Sequence, residues 1–366
     1  MAEFKRRKRS SSGAASSSAS AAHGERLEVD REKRVVAVTG AHGFIGSQVV
    51  RRLEGDRRYA KILAIDIRKP SFPLDKTAFF KIDLTLPAAD GDLAAVLREE
   101  RADTLVHCAF LGKPTHNATF AHELEDIGTM HVLNATAEVR LPRLVMLSTT
   151  MVYGPHPLNP NFLSEQHELK GHRESRFVSD KVAAERQVRR FRVEHPQTAA
   201  TVLRLAPTVG PTIDNWVTHF LHRPVAPTLM GYDPLMQCLH ESDAIDAFKL
   251  AIDAEHDVSG EFNIVGDGVL PYSTVLAMLG KVPLPLPSFL AKPLSRLLWA
   301  TQVFDSPPSF LDFLRYMCVA DGSKARQVLG FSPRYDIKRT LADFLGMLGT
   351  GIDGTGDLAS ATGRMR

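Results

Sequence analysis

The chain has 366 residues, enough for one large α/β domain or two ordinary ones with a sizeable buried core. Its composition, 44% hydrophobic and 24% charged, excludes fibrous structure and disorder throughout. The formal net charge is +3, but residues 1–33 hold 8 basic and 5 acidic side chains, so residues 34–366 are electrically balanced. This balance argues against a general nucleic-acid-binding surface.

Both ends of the chain are low in complexity. Residues 1–33 form a basic, Ser/Ala-rich segment that is predicted to be a disordered tail, and residues 350–366 are predicted to be a flexible tail. No apolar segment follows the basic start, and no stretch approaches the roughly 20 apolar residues that span a bilayer. Three scattered cysteines fit a reducing compartment and suggest no metal site. We therefore expect a cytoplasmic protein, at most peripheral to a membrane.

Short, nearly continuous apolar runs alternate with helical patterns from residue 34 onward. The alternation predicts an α/β fold, a doubly wound parallel Rossmann sheet with a smaller interleaved C-terminal substrate lobe. The predicted strands are 34–39, 61–66, 78–82, 104–109, 144–148 and 201–205. The predicted helices are 45–53, 91–100, 122–139 and 174–194.

Three glycines directly after the first strand carry the strongest functional signal. Gly40, Gly43 and Gly46 close the turn, let the backbone approach a pyrophosphate, and let the helix pack on the strand, with Phe44 and Ile45 between them. The amino terminus of that helix offers free N–H groups and a partial positive charge to phosphates. The motif predicts dinucleotide binding.

Acidic residues after the next two strands complete the predicted dinucleotide site. Asp66 ends the second strand, where a carboxylate accepts the ribose hydroxyls and repels a 2′-phosphate, which favours NAD over NADP. Arg68 weakens that preference without reversing it. Asp83 and Leu84, after the third strand, are placed to meet the adenine. We assign 34–200 to an NAD-binding core, and 201–349 to the last sheet strands interleaved with a substrate-binding lobe.

The glycine spacing resembles that of short-chain dehydrogenases/reductases. The remaining motifs are similar to the extended (atypical) branch, the NAD-dependent epimerase/dehydratase family, and they occur in family order over about residues 34–345. They are LVHCAF, LVMLSTTMVYG, KVAAE, LRLAPTVGP, LHESDAIDA and FNIVGDG. The resemblance implies that Cys108 and Ala109, in LVHCAF, lie beside the nicotinamide ribose.

The resemblance also implies a catalytic hydroxyl residue, a tyrosine and a lysine. They map to Thr149, Phe177 and Lys181, so a phenyl ring stands where the proton-transferring tyrosine is expected. Loss of a positioned acid–base typically costs about 10²- to 10⁴-fold in rate. The conceivable substitutes are Tyr153, His172, Ser179 or a water held by Thr149 and Lys181.

Two segments depart from the pattern of UDP-sugar enzymes. The residues at 236–240 and 310–314 contain none of the arginines that commonly bind a diphosphate there, although Arg315 is near. Residues 281–304 instead predict a proline-bounded apolar helix, interpreted as a lid, a lipophilic channel or a membrane-surface contact. This region resembles family members that act on steroid- or hopanoid-like molecules.

Three functions therefore remain open. The first is an NAD-dependent oxidoreductase or epimerase on a small-molecule substrate, either a sugar nucleotide or a lipophilic alcohol. The second is a catalytically silent NAD-binding protein with a structural or regulatory role. The third is a peripheral membrane or scaffold protein that uses the basic tail and the 281–304 helix. The resemblance also implies a homodimer paired through helices 122–139 and 174–194.

Overall fold

The structure, a computed structural model, describes residues 34–254, 258–302 and 306–346. The predicted tails, 1–33 and 350–366, lie outside the described residues, and the proposed boundaries of the core and the lobe stay predictions. The strands in chain order are β1 (Arg34–Thr39), β2 (Tyr59–Asp66), β3 (Thr77–Lys81), β4 (Thr104–His107), β5 (Arg143–Thr149), β6 (Ala199–Leu205), β7 (Thr208–Val209), β8 (Val225–Leu229), β9 (Leu235–Met236), β10 (Leu239–His240), β11 (Gly260–Ile264), β12 (Leu270–Pro271) and β13 (Val282–Leu286).

Seven of these strands form one parallel sheet in the order β11-β6-β5-β4-β1-β2-β3. Strand β1 lies between β4 and β2, so that Val38 pairs with Val106 on one side and with Ala64 on the other. The predicted doubly wound parallel sheet is confirmed. Strand β4 ends at His107 and not at the predicted residue 109, because the chain turns where the Phe110 N–H donates to the carbonyl oxygen of Cys108.

Helices cover both faces of the sheet. They are α1 (Phe44–Glu54), α2 (Ala89–Glu99), α3 (Ala118–His122), α4 (Gly128–Glu138), α5 (Arg176–Glu194), α6 (Trp216–His222), α7 (Glu241–Asp253), α8 (Tyr272–Met278), α9 (Ser288–Ala300) and α10 (Ile337–Phe344). Helices α1 and α7 bury their apolar sides on one face, and α2, α4 and α5 on the other. The predicted helix 122–139 is interrupted, since a π-helical turn, Glu123–Ile127, joins α3 to α4.

The short strands and the last helices form the smaller lobe. Two of its two-stranded sheets pair β10 with β7 and β13 with β8, both in parallel. Its core packs α6, α8 and α10 around side chains such as Val217, Val275 and Leu341.

The predicted helix over 281–304 is wrong in its first third. Residues Val282–Leu286 form β13, and helix α9 begins only at Ser288. The alternation of proline with valine or leucine explains the strand, because Pro283 and Pro285 have no N–H to donate to a helix. No helix in the described parts of the chain is long and apolar enough to cross a membrane.

Candidate active site

The glycine turn is packed so tightly that two of its residues have no room for a side chain. Gly40 has φ of +68°, and a Cβ atom there would lie 2.6 Å from the backbone nitrogen of Ala109. A Cβ atom at Gly46 would lie 2.1 Å from the carbonyl oxygen of Gly40. The sequence therefore needs glycine at both positions to bring helix α1 against the end of β1.

Helix α1 starts at Phe44 without a side-chain cap. Its N-cap, Gly43, offers no side chain to the first N–H groups, whereas its own N–H donates to the carbonyl oxygen of Gly40 at 3.0 Å. The first turn of an eleven-residue helix thus keeps backbone donors for an anion. This arrangement fits the pyrophosphate of a dinucleotide.

The acidic residues predicted to contact the adenosine half lie at the expected edge of the sheet. Asp66 accepts hydrogen bonds from the backbone N–H groups of His42 (2.9 Å) and Arg68 (3.2 Å), which ties the glycine turn to the end of β2. Asp83 accepts from the backbone and the hydroxyl of Thr85, and Leu84 is buried behind it. Contacts of Asp66, Arg68, Asp83 and Leu84 with a cofactor stay predictions.

One cleft of about 430 Å³ opens at the carboxyl ends of the central strands. That volume is in the usual range for small-molecule sites. The cleft brings together residues predicted for the glycine turn, the nicotinamide ribose and catalysis: Gly43, Phe44, Ile45, Cys108, Thr149, Phe177 and Lys181. Ala109, which packs behind the turn at Gly40, does not line it.

Thr149 is the last residue of β5 and faces this cleft. Its side-chain oxygen accepts a hydrogen bond from the Met151 N–H at 3.3 Å and so caps the following 3-10 turn. The hydroxyl hydrogen of Thr149 remains available to a ligand. Its neighbour Ser148 also lines the cleft, but its hydroxyl donates to the buried carboxylate of Glu185.

Phe177 and Lys181 stand one turn apart on α5. The Phe177 ring is buried, and the Lys181 Nζ atom lies 3.7 Å from its centroid. The ring thus stabilises the ammonium through a cation–π contact. The two side chains meet at the cleft, and the assignment of Phe177 to the position of the catalytic tyrosine stays a prediction.

Glu125, which the sequence analysis missed, completes this arrangement. Its Oε1 atom lies 2.6 Å from Lys181 Nζ and also accepts the Leu111 N–H at 2.8 Å. Its Oε2 atom is buried and has no hydrogen-bond partner among the described residues. The signal was present, because Glu125 falls on the buried side of its helix at i, i+4 spacing with Ala121 and Thr129. Because Glu123 and Asp126 are its neighbours in the sequence, Glu125 resembles one member of a solvated acidic segment.

Burial acts on both members of this pair. It raises the pKa of the Glu125 carboxyl and lowers the pKa of the Lys181 ammonium, and the opposite charge of each partner counteracts the change. The two groups are therefore closer in proton affinity than an exposed glutamate and lysine. Such a pair can exchange a proton that an exposed pair cannot.

The three side chains considered as substitutes for the tyrosine do not line the cleft. The Tyr153 hydroxyl donates to Asn263 and accepts from the Arg204 guanidinium in the core, and burial raises its pKa to about 12. His172 Nε2 pairs with Asp312 at 3.0 Å, and the Ser179 hydroxyl donates to the backbone of its own helix. In the described ranges, no group of three or more acidic, His or Cys side chains is arranged for a metal.

A second, apolar pocket of about 110 Å³ adjoins the cleft and shares Met151, Pro207, Trp216 and Val217 with it. Met236 and Gln237 line it from one side, and Phe310, Leu311, Phe313 and Leu314 from the other. These are the two segments in which the expected arginines are missing. Among the residues that the structure describes, none that lines this pocket carries a charge.

Arg315, the candidate replacement for those arginines, does not line the apolar pocket. Its guanidinium carbon lies 5.2 Å from the centroid of the Tyr232 ring and 5.9 Å from that of Tyr316. A diphosphate in the pocket would therefore lack a cationic partner among its described lining residues.

Comparisons with known proteins agree with the fold. An uncharacterized protein of Mycobacterium tuberculosis (strain H37Rv) is 30% identical over 318 residues, which cover 85% of this chain and 83% of the relative. Among solved structures, MoeE5 in complex with UDP-glucuronic acid and NAD superposes with a TM-score of 0.67 at 22% identity, covering 86% of this chain and 99% of that one. A tyrosine-to-phenylalanine mutant of UDP-glucuronic acid 4-epimerase from Bacillus cereus, crystallised with a fluorinated UDP-sugar and NAD, superposes with a TM-score of 0.66 at 19% identity over 86% and 99% of the two chains.

The family model named NAD dependent epimerase/dehydratase matches residues 36–265, more than half of the chain. The match begins in β1, just before the glycine turn, and ends just after the last strand of the central sheet. The match therefore includes the glycine turn, Thr149, Phe177 and Lys181. The chain belongs to the NAD-dependent epimerase/dehydratase family.

Proposed function

We propose that this protein is an NAD-dependent oxidoreductase or epimerase that acts at a CH–OH carbon of a lipophilic alcohol. One observation carries the proposal: the cleft that holds Thr149 and Lys181 opens into a pocket whose described lining is uncharged. The reacting carbon would lie in the cleft, and the apolar remainder of the substrate would lie in the pocket. Burying such a group contributes about 25 cal/mol per Å² of apolar surface.

The residues of the cleft divide the work. The chemistry that NAD would supply when bound is a hydride acceptor and donor. The backbone donors at the start of α1 hold the pyrophosphate, and the Thr149 hydroxyl orients the substrate oxygen. Lys181 would donate hydrogen bonds to hydroxyl groups in the cleft. In alcohol oxidation, Lys181 would pass a proton to Glu125 and then accept the hydroxyl proton of the substrate, so that the pair gains one proton on oxidation and returns it on reduction. Glu125 acts through Lys181, because it does not line the cleft itself.

A catalytically silent NAD-binding protein is the second candidate. Phe177 favours it, because a phenyl ring beside Lys181 can neither donate nor accept a proton. The Tyr-to-Phe mutant of the B. cereus epimerase shows that this type of substitution is compatible with bound NAD in that protein.

Sugar nucleotides are the alternative substrates, since MoeE5 was crystallised with UDP-glucuronic acid. The uncharged pocket argues against them.

Cofactor binding is tested first, by titration calorimetry of NAD into the purified full-length protein. Gly46→Ala should weaken binding at least about 100-fold, because the new Cβ collides with the Gly40 carbonyl and displaces the helix that meets the pyrophosphate. Gly55→Ala is the matched control, since a Cβ there meets nothing within 4 Å. Absence of NAD binding by the wild-type protein would refute the proposal.

Turnover is tested with a panel of hydroxysteroids and UDP-sugars, followed by absorbance of NADH and by product analysis. We expect turnover of a hydroxysteroid but not of a UDP-sugar, and a rise of at least about 10²-fold in Phe177→Tyr, which restores the phenol. If neither protein turns over any member of the panel while both bind NAD, the silent NAD-binding protein is the better description.

We also propose a homodimer. Helices α4 and α5 pack against each other on one face of the sheet, and Met130 and Val193 leave apolar surface exposed along them. Light scattering of the full chain at a monomer mass would contradict it.

A further inference from the structure

Helix α9 has an apolar outer side. Its residues Phe289, Leu290, Leu294 and Leu297 are exposed, at 75% for Phe289 and 61% for Leu297. The spacings of 4 and 7 residues from Leu290 place Leu294 and Leu297 on the same side of the helix. Soluble monomers seldom leave such a row of large apolar side chains in water without a use.

The strand pair beside α9 continues this character. Val225 on β8 and Val282 on β13 are register partners, and both are exposed together with Leu284. We call these seven residues, Val225, Val282, Leu284, Phe289, Leu290, Leu294 and Leu297, the outer apolar set. The set belongs to three elements that hold two basic side chains and no acidic one.

The inner side of α9 covers the substrate region. Ala291 is buried, Ser295 lines the apolar pocket, and the Trp299 ring stacks on His116 with centroids 3.8 Å apart. Lys292 anchors the helix through an ion pair with Asp312 at 3.2 Å. One helix therefore has an apolar pocket beneath it and an apolar surface above it.

We propose that α9 and the β8–β13 pair seat this protein on an anionic lipid surface, from which its lipophilic substrate reaches the apolar pocket. Lys292 is occupied by Asp312, so Arg296 is the basic side chain of these elements that is exposed beside the apolar stripe. An apolar stripe with an exposed basic side chain beside it suits insertion into the headgroup region of a bilayer. The exposed Arg296, next to Leu297, and Lys281, directly before β13, would contact the phosphates. Acidic side chains, which would oppose such a surface, are absent from the three elements.

Vesicle flotation of the full-length protein tests this inference, with phosphatidylcholine alone or mixed with phosphatidylglycerol. The wild-type protein should float with the anionic vesicles, and high salt should reduce the floating fraction. Leu294→Glu/Leu297→Glu should lower vesicle binding at least about tenfold, because two apolar groups lose their burial and two negative charges face the lipid. Arg296→Gln should lower it about fivefold.

Two controls distinguish vesicle binding by the outer apolar set from binding by other exposed apolar residues or by the basic tail. Leu158→Glu/Val328→Glu adds the same charge at two exposed apolar residues outside the outer apolar set and should leave flotation unchanged. Replacing the five basic residues at 5–9 by glutamine in the full chain tests the basic tail. The inference is overturned if the wild type does not float, or if only the tail variant loses binding.

A second copy of the chain is the competing occupant of this face. If Leu294→Glu/Leu297→Glu converts a dimer to a monomer in light scattering and leaves flotation unchanged, the face is a self-association surface and the lipid inference fails. NAD binding by each variant confirms its fold. These readouts do not use turnover, so a silent cofactor site would leave the test of the lipid surface intact.

Discussion

Helix α5 contributes to two buried ion pairs that differ in how completely they are satisfied. In the core, Glu185 faces Arg204, with the closest atoms 2.6 Å apart and both side chains at most 1% exposed. At the cleft, Lys181 faces Glu125 at the same distance, with side chains 7% and 1% exposed. Each cation also lies against an aromatic ring, Tyr153 for Arg204 and Phe177 for Lys181.

The surroundings of the two pairs are different. The Arg204 guanidinium donates three hydrogen bonds to Glu185 and one to the Tyr153 hydroxyl, which in turn donates to Asn263. The Lys181–Glu125 pair has a single contact, and one oxygen of Glu125 is buried without a partner in the described chain. A saturated pair stabilises the scaffold, whereas an unsaturated pair beside a cleft retains capacity for a ligand and for proton transfer.

Arg204→Met is expected to give the largest loss. It leaves the Glu185 carboxylate buried with only the Ser148 hydroxyl, so the free energy of unfolding should fall by about 3–5 kcal/mol in urea denaturation. Arg98→Met is the matched control, because its pair with Glu138 is exposed and should contribute less than about 1 kcal/mol. Equal losses in the two variants would contradict the comparison.

Glu125→Gln should cost less, about 2 kcal/mol at neutral pH. Burial already lowers the pKa of Lys181, so the lysine can lose its proton when its partner is removed. A lysine whose pKa is lower in the folded protein makes stability rise with pH below its unfolded pKa, so the variant should recover stability between neutral and alkaline pH. The control is Glu123→Gln, an exposed residue of the same turn. A variant as unstable as Arg204→Met, with no recovery in alkali, would argue that both pairs are purely structural.

The buried His107, which belongs to neither ion pair, makes the free energy of unfolding depend on pH in the acid range. It lies between the hydroxyls of Thr39 (2.8 Å) and Thr129 (3.2 Å), and burial lowers its pKa to about 3. A depressed pKa contributes stability that is complete above about pH 6.5 and is lost as the pH falls toward 3. Lowering the pH from 7 to 5 should therefore cost about 2 kcal/mol, measured by urea denaturation.

His107→Gln should remove most of this dependence, and the exposed His222→Gln should not. An unchanged slope in His107→Gln would place the acid sensitivity elsewhere in the protein.

Tyr153→Phe is the smallest of these changes, at about 1–2 kcal/mol. It leaves an Arg204 donor and the Asn263 acceptor without their shared hydroxyl. The opposite change can be made at the cleft, where Phe177→Tyr adds a hydroxyl to the ring beside Lys181. It should change the free energy of unfolding by less than about 0.5 kcal/mol. A larger loss in Phe177→Tyr than in Tyr153→Phe would show that the cleft is packed too tightly to hold a phenol at this position.

The sequence predicted the parts of the site that depend on local geometry. The glycine turn and the strands up to β6 follow from patterns along the chain, whereas the assignment of Phe177 to the tyrosine position follows from the family resemblance and stays a prediction. Glu125 was missed because its partner Lys181 is 56 residues away and only the packing of two helices brings them together. The absence of arginine from two segments was visible in the sequence, but the fact that both segments line one apolar pocket depends on the fold of the lobe.

Strand β13 has a consequence for how copies of the protein meet. The Val282 N–H donates to the Pro224 carbonyl, so the odd positions, Pro283 and Pro285, point their backbone to the free edge. Neither proline has a hydrogen to donate, and that edge therefore offers carbonyl groups alone. An additional strand cannot form a complete ladder there. The apolar strand β13 can thus be exposed to water without its free edge serving as a template for cross-β aggregation.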